Sequence, residues 1–156
     1  MDIQKIGPRT LKRPQEGDIF VFSFDNKEYY FGRVIKLDVI AGGFPGAVLI
    51  YAYDQKTNKK KLIPLLNKEN LLIPPVMINR MPWTRGYFEV VEHKVLLPED
   101  VFEKHIFKTD NPNISLDEYG NRMQNVVANY GYSALSSYLS FSEKVSLVLD
   151  DKRKTT

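Results

Sequence analysis

The sequence contains no cysteine and no long uninterrupted apolar run. The absence of cysteine excludes disulfide bonds, thiolate metal ligands and cysteine nucleophiles, and it is typical of proteins from a reducing compartment. A membrane-spanning helix needs ~18 consecutive apolar residues, and residues 1–14 carry charges where a secretion signal has an apolar centre. We therefore expect a cytoplasmic protein without a membrane anchor.

Histidine is also scarce, and catalytic motifs are missing. His93 and His105 are the only histidines, and neither lies in an HExxH motif. The serines form no GxSxG or SxxK motif, and the glycines of residues 41–46 lack the spacing of a phosphate-binding loop. We expect no cofactor, no metal and no catalytic site, and a metal-dependent hydrolase stays open as the weakest alternative.

What the chain does contain is typical of one globular domain. Of its 156 residues, 43% are hydrophobic, 26% charged and 12% aromatic, a balance that excludes a disordered chain. The charge is uneven, because residues 1–68 hold 12 Lys and Arg against 7 Asp and Glu, whereas residues 69–149 hold 7 against 10. An acidic face is therefore expected in the second part of the chain.

The segment EGDIFVFSFDNKEYYFGRVI, residues 16–35, predicts a β-hairpin. Ile19–Phe24 and Glu28–Leu37 are rich in aromatic and β-branched residues, and Asp25–Lys27 between them has turn chemistry. Alternate residues of a strand share a face, so that one face of the first strand presents Phe20, Phe22 and Phe24 to a core.

Gly32 and Arg33 interrupt the second strand of this hairpin. A glycine within a strand indicates a bulge or the close approach of another backbone. A buried guanidinium needs partners, so we expect Arg33 to form a salt bridge or a bidentate hydrogen bond at a sheet edge.

Three further strands are predicted. Val48–Tyr53 is short and apolar enough to lie inside a sheet. Leu71–Ile78 contains Pro74 and Pro75, which exclude a central position because proline cannot donate to the ladder, so that this segment is an edge strand or an irregular crossing. Tyr87–Glu92 follows a turn-like segment.

Helices are predicted in the last third of the chain. Leu97–Phe107 has Pro98 at a plausible first helical position and apolar residues at helical spacing. Residues 142–151 predict a closing helix with Ser142 as N-cap. The fold class is thus α+β, with a twisted, mainly antiparallel sheet and a few short helices toward the C-terminal half. We expect an N-terminal extension (1–13), one domain (14–150) and a charged tail (151–156).

The basic loop of residues 56–61, KTNKKK, leaves a second alternative open. Lysines beside aromatic rings can contact phosphates and stack bases, as in a small β-rich nucleic-acid-binding module. A short lysine run is more often a solvated turn. Trp83, the only tryptophan, fits either a core position or an interface anchor.

Several stretches together resemble the immunity protein 26 family of bacterial polymorphic toxin systems over roughly residues 14–150. In order along the chain they are GDIFVF, YYFGRVI, VLIYAYD, WTRGYFEVV, DEYGNR and YGYSALSSYLSFSEKV. The resemblance implies a cytoplasmic α+β protein, not an enzyme, that neutralises a cognate toxin domain by covering its active or target-binding surface. A nuclease is one option for the toxin. Neither a membrane nor a nucleic acid is expected as partner, and a monomer and a homodimer both remain open.

The resemblance also implies an acidic protein, whereas the sequence pI is about 9.0. If the toxin is a basic nuclease, the acidic second part of the chain should contact it. Trp83 and Tyr87 are added as aromatic anchors. The predicted toxin-binding residues are therefore Glu89, Glu92, Glu99, Asp100, Glu103, Asp117, Glu118, Trp83 and Tyr87.

Overall fold

The computed structural model describes residues 1–124 and 131–154. Its main element is a five-stranded antiparallel sheet with the strand order β4-β3-β2-β1-β5. The strands are β1 (Asp18–Phe22), β2 (Tyr29–Ala41), β3 (Phe44–Thr57), β4 (Leu71–Ile78) and β5 (Glu89–His93). A small second sheet contains β6 (Phe107–Lys108), β7 (Ser115–Leu116) and β8 (Arg122–Met123). The helices are α1 (Met81–Thr84), a 3-10 turn (Pro98–Asp100) and α2 (Tyr138–Lys154).

This architecture confirms the predicted α+β class and the β-hairpin predicted for residues 16–35. β1 pairs with β2 in antiparallel register, with Phe20 opposite Gly32. The strand β4 lies at the edge of the sheet, as its two prolines require. Among the described residues no helix is long and apolar enough to cross a membrane.

One face of the sheet, called the first face, buries the aromatic core. Phe20 and Phe22 of β1 pack there with Trp83, Phe88 and Phe141. Gly32 is required at its position because a Cβ atom there would lie 2.3 Å from the ring of Phe20. The group that approaches this glycine is a side-chain ring rather than a backbone, and the pairing of β2 with β3 shifts in register between Tyr30 and Gly32, as the alternative of a bulge predicts.

The other face, called the second face, is buried as well. Ile35, Leu49 and Tyr51 form one cluster there, and Val21 and Phe31 form a neighbouring one. Two segments that contain no β-strand cover it, residues 62–68 and residues 94–106. We call residues 94–106 the crossing segment. Both faces of β1 are therefore buried, which explains why its whole sequence is apolar after Asp18.

The prediction of a helix over Leu97–Phe107 is wrong. Only Pro98–Asp100 forms a 3-10 turn, and Val101 already has extended backbone angles. The apolar residues at helical spacing, Val101 and Phe102, pack onto the second face from an irregular backbone. The amide of Phe102 donates to the hydroxyl of Tyr51 at 3.0 Å, so a tertiary contact takes the place of a helical hydrogen bond.

The closing helix exists, but it begins before the predicted cap. The amide of Ser140 donates to Oγ of Ser137 at 3.2 Å, which makes Ser137 the N-cap of α2. Ser142 lies inside the helix and accepts a hydrogen bond from the amide of Ile3 at 2.9 Å. Ile3 itself is buried in the core of the first face.

Candidate functional site

The crossing segment runs over the second face from the edge strand β5 to the inner strand β3. Near its start, the carbonyl of Lys94 accepts a hydrogen bond from Nη2 of Arg33 on β2, at 2.8 Å. Farther along, the amide of Phe102 bonds to Tyr51 on β3. Because these contacts join an irregular backbone to inner strands, the outer surface of the segment has a defined position.

An ion pair between the buried Arg33 and the half-buried Asp100 fixes the middle of the segment. Nη1 of Arg33 lies 3.2 Å from Oδ2 of Asp100, and the same oxygen accepts the amide of Leu97 at 2.7 Å. The salt bridge predicted for Arg33 is present, but on an inner strand rather than at a sheet edge. The chain beyond β5 reaches over β2 and supplies the acceptors there.

A second buried network fixes the end of the segment. Nδ1 of His105 lies 2.5 Å from Oε2 of Glu118, and Nε2 lies 2.5 Å from the hydroxyl of Tyr51. Nζ of Lys36 is 3.4 Å from the same carboxylate oxygen. The hydrogen bonding assigns the proton of Nδ1 to the bond with Glu118, and the tyrosine hydroxyl then donates to Nε2.

The electrostatics of this network favour a charged carboxylate and a neutral phenol. Burial raises the pKa of Glu118, but the hydrogen bond from His105 and the charge of Lys36 outweigh it, leaving this pKa below its ordinary value. Burial raises the pKa of Tyr51. The neutral phenol remains a hydrogen-bond donor.

The order carboxylate, imidazole, hydroxyl is that of a catalytic triad, but here the three groups are buried. Tyr51 is fully buried, and His105 and Glu118 are only 4% and 6% exposed. A substrate cannot reach the hydroxyl in this arrangement, so the network acts as a structural tie between β3, the crossing segment and the loop after β7. His105 belongs to the segment for which a helix was predicted; that helix does not form, and the ring is buried in the core.

The outer side of the crossing segment combines apolar and acidic side chains. Val95 is 72% exposed and Leu97 is 48% exposed. Glu99 and Glu103 are exposed beside them, and Glu92 is exposed at the end of β5. Exposed apolar residues inside a charged rim are characteristic of protein-binding surfaces.

A neighbouring segment also exposes apolar side chains. Nζ of Lys68 donates to the carbonyl of Val101 at 3.2 Å, which places residues 62–68 beside the crossing segment. Leu66 packs onto the second face, whereas Leu62 and Leu65 are exposed. The sequence pattern did not indicate that these two segments lie side by side, because only the fold brings Lys68 to Val101.

The other predicted residues lie elsewhere. Trp83 is 1% exposed within the core of the first face, and Tyr87 stacks on Tyr138 of α2. Glu89 pairs with Lys60 at 2.8 Å. Asp117 accepts the amides of Tyr119 and Asn121 and so shapes its own turn. The nine predicted residues therefore do not form a single surface.

Two lysines of the basic loop already have partners within the protein. Besides its pairing with Glu89, Nζ of Lys60 donates to the carbonyl of Ile6 at 2.7 Å. Lys56 pairs with Glu28 at 3.5 Å.

His93, the other histidine, bonds to Asp18 at 2.7 Å. Within residues 1–124 and 131–154, no three His, Asp or Glu side chains are grouped as a metal site would require.

The chain matches a known protein family. A family model described as immunity protein 26 matches residues 15–118. That range includes all five strands of the main sheet, the crossing segment and Glu118. No curated protein and no solved structure gives a significant match.

Proposed function

Because the chain belongs to the immunity protein 26 family, we propose that it binds a cognate toxin protein and neutralises it by covering the surface with which the toxin acts. The family assigns a general role in immunity against a toxin. The mode of neutralisation is the proposed part. Covering a surface requires a rigid, accessible patch and no reaction, so we propose a binding protein rather than an enzyme.

The observation that carries this proposal is the two-sided construction of the crossing segment. Its inner side is fixed by Arg33, Tyr51 and the His105 network. Its outer side presents Val95 and Leu97 to solvent. An ordered surface loses little conformational freedom on binding, which increases affinity for a given contact area.

We propose that Val95 and Leu97 form the centre of the toxin-binding surface. Apolar side chains that become fully desolvated at the centre of an interface carry most of its binding energy. The exposed residues Leu62 and Leu65 enlarge the apolar area on one side. Single-domain inhibitors cover about 800 Å² per partner, and we propose that these segments contribute the centre of such a surface.

The acidic residues take different roles in this proposal. Glu92, Glu99 and Glu103 are exposed and belong to the rim. Asp100 and Glu118 stay inside, where each holds a cation of the protein itself. Lys94 and Lys104 lie in the same segment, so the rim has mixed charge. It should therefore affect the rate of association more than the final affinity.

The proposal is tested by placing charges at the centre of this surface. For this test the toxin is first identified as the stoichiometric partner that the protein retains through a high-salt wash. In cells that produce both proteins, Val95→Asp with Leu97→Asp should abolish protection and weaken binding by about 30-fold or more. Growth and the dissociation constant are measured.

The matched control is Leu139→Asp, since Leu139 is an exposed leucine on α2. This variant should protect as well as the unchanged protein. Equal protection by the double variant, with an unchanged dissociation constant, would move the toxin-binding surface away from the crossing segment. If the unchanged protein does not protect against the toxin at all, the neutralising function itself is wrong.

A further inference from the structure

A cavity of about 300 Å³ lies between β4, α2 and the residues that lead into α2. Residues 73–77 of β4 form one wall, and Leu147 and Val148 of α2 form another. Pro74 and Pro75 have no amide hydrogen to offer a pairing strand, so this part of the sheet edge is suited to apolar contact instead. The volume is at the lower end of the range for small-molecule sites.

Lys144 is the only charged residue among the described residues that line this cavity. Its Nζ donates to Oγ of Ser136 at 2.9 Å. Ser136 is held in place, because its amide donates to the carbonyl of Met77 at 2.9 Å and its carbonyl accepts the amide of Asn79 at 3.1 Å. The ammonium is thus positioned in mainly apolar surroundings.

This arrangement leaves the ammonium with unused binding capacity. An ammonium has three hydrogen-bond donors, and within the described residues the structure gives Lys144 one acceptor, a neutral hydroxyl. Burial lowers the pKa of Lys144 because apolar surroundings disfavour its charge. A bound anion would offset that cost and complete the hydrogen bonding.

We propose that this cavity binds a small monocarboxylate with an apolar body, and that Lys144 holds the carboxylate. At about 30 Å³ per water-sized group, the volume accommodates about ten non-hydrogen atoms, the size of a medium-chain fatty acid. A neutral ligand leaves the cation uncompensated, whereas a dianion places a second negative charge against apolar walls. The site is separate from the crossing segment and does not depend on toxin binding.

The test uses two probes of nearly equal size, octanoate and 1-octanol, titrated into the full chain and followed by NMR chemical shifts. Octanoate should bind at least tenfold more tightly than octanol. Lys144→Met retains the apolar stem and removes the charge, so it should reduce octanoate binding to the octanol level and leave octanol binding unchanged. Thermal unfolding of the variant checks that it remains folded.

Two leucines of α2 provide a second, matched pair of variants. Leu147 lines the cavity and Leu139 does not, and both are 60% exposed, so that a charge is tolerated at either position. Leu147→Glu should weaken octanoate binding at least tenfold, because it places a like charge beside the ligand, whereas Leu139→Glu should leave it unchanged. Undetectable octanoate binding, equal affinity for both probes, or equal effects of the two glutamates would overturn the proposal.

Discussion

Arg33 shows, at the scale of single residues, how a buried charge can organise a surface. Its guanidinium is paired with Asp100 and also donates to the carbonyl of Lys94. Nε of Arg33 is buried and has no partner among the described residues, so the ion pair is an imperfect stabiliser of the fold. Arg33 does, however, fix the crossing segment to β2 at two points, Lys94 and Asp100.

Glu118 makes the stability of the protein depend on pH. Its pKa in the folded state lies below the ordinary value of 4.5. A lowered carboxylate pKa adds stability that is fully present above the unfolded pKa and is lost as the pH falls through the folded pKa. The window therefore begins at about pH 5 and extends downward.

Glu118→Gln should accordingly destabilise the protein at pH 7 by about 1–3 kcal/mol, because it removes a charge-assisted hydrogen bond from a buried site. The deficit should shrink as the pH falls below 4.5, where the unchanged protein loses the same contribution. Urea unfolding at several pH values measures it, with the exposed Glu143→Gln as control. A deficit of constant size between pH 7 and pH 3 would show that the carboxylate charge is not its source.

At the scale of elements, the crossing segment behaves as a part of the core that has an exposed side. Leu96, Val101 and Phe102 pack against the second face. Val95, Leu97 and the glutamates point away from this packing, as their exposure shows. The segment needs no regular secondary structure, because side chains of the sheet accept or donate its hydrogen bonds.

Reversing the charge of this element should slow association with the toxin if the toxin surface is basic. Glu99→Lys with Glu103→Lys is expected to lower the association rate about tenfold at low salt and to reduce its salt dependence, with a smaller effect on dissociation. Stopped-flow or surface-binding kinetics at two salt concentrations measure this.

The control for these reversals is Asp110→Lys with Glu143→Lys, which changes the same net charge at exposed positions outside the segment. It should have a much smaller effect on the rate. If both double variants slow association equally, only the total charge of the protein matters, and the acidic rim has no special role.

At the scale of the whole molecule, the two ends of the described chain are joined. The amide of Ile3 donates to Ser142, and Oγ of Ser146 donates to the carbonyl of Met1 at 2.6 Å. The amide of Gln4 donates to the carbonyl of Ser23 at 2.8 Å. We propose that residues near the N-terminus contribute to the stability of the sheet and of α2.

Ile3→Ala tests this contribution. It should lower the free energy of unfolding by about 2–5 kcal/mol, as expected for truncating a buried isoleucine. Leu11→Ala is the matched control, because Leu11 belongs to the same segment but is 96% exposed, and its change should stay within about 0.5 kcal/mol. Chemical denaturation of both variants gives the comparison, and an Ile3→Ala value as small as the control would mean that this end of the chain does not support the fold.

Much of the fold could be predicted because the signals are local. Alternating and aromatic-rich runs predicted β1 and β2, the prolines excluded a central position for β4, and Gly32 predicted a bulge or a close backbone, of which the register shift beside it fits the bulge. The candidate site was less predictable. Glu103 is exposed and Glu118 is buried, although both belong to the acidic second part of the sequence. Only the residues that each of them meets in the folded protein account for this difference.

The sequence by itself determined that the chain is an α+β domain of the immunity protein 26 family, with strands before its long helix. Tertiary structure decided the backbone of the crossing segment, the burial of His105 and the partner of Arg33. The physical reason is that apolar periodicity reports which residues leave water, but not the conformation that buries them. That conformation depends on residues distant along the chain, as when Tyr51 bonds to Phe102 in place of a helical carbonyl.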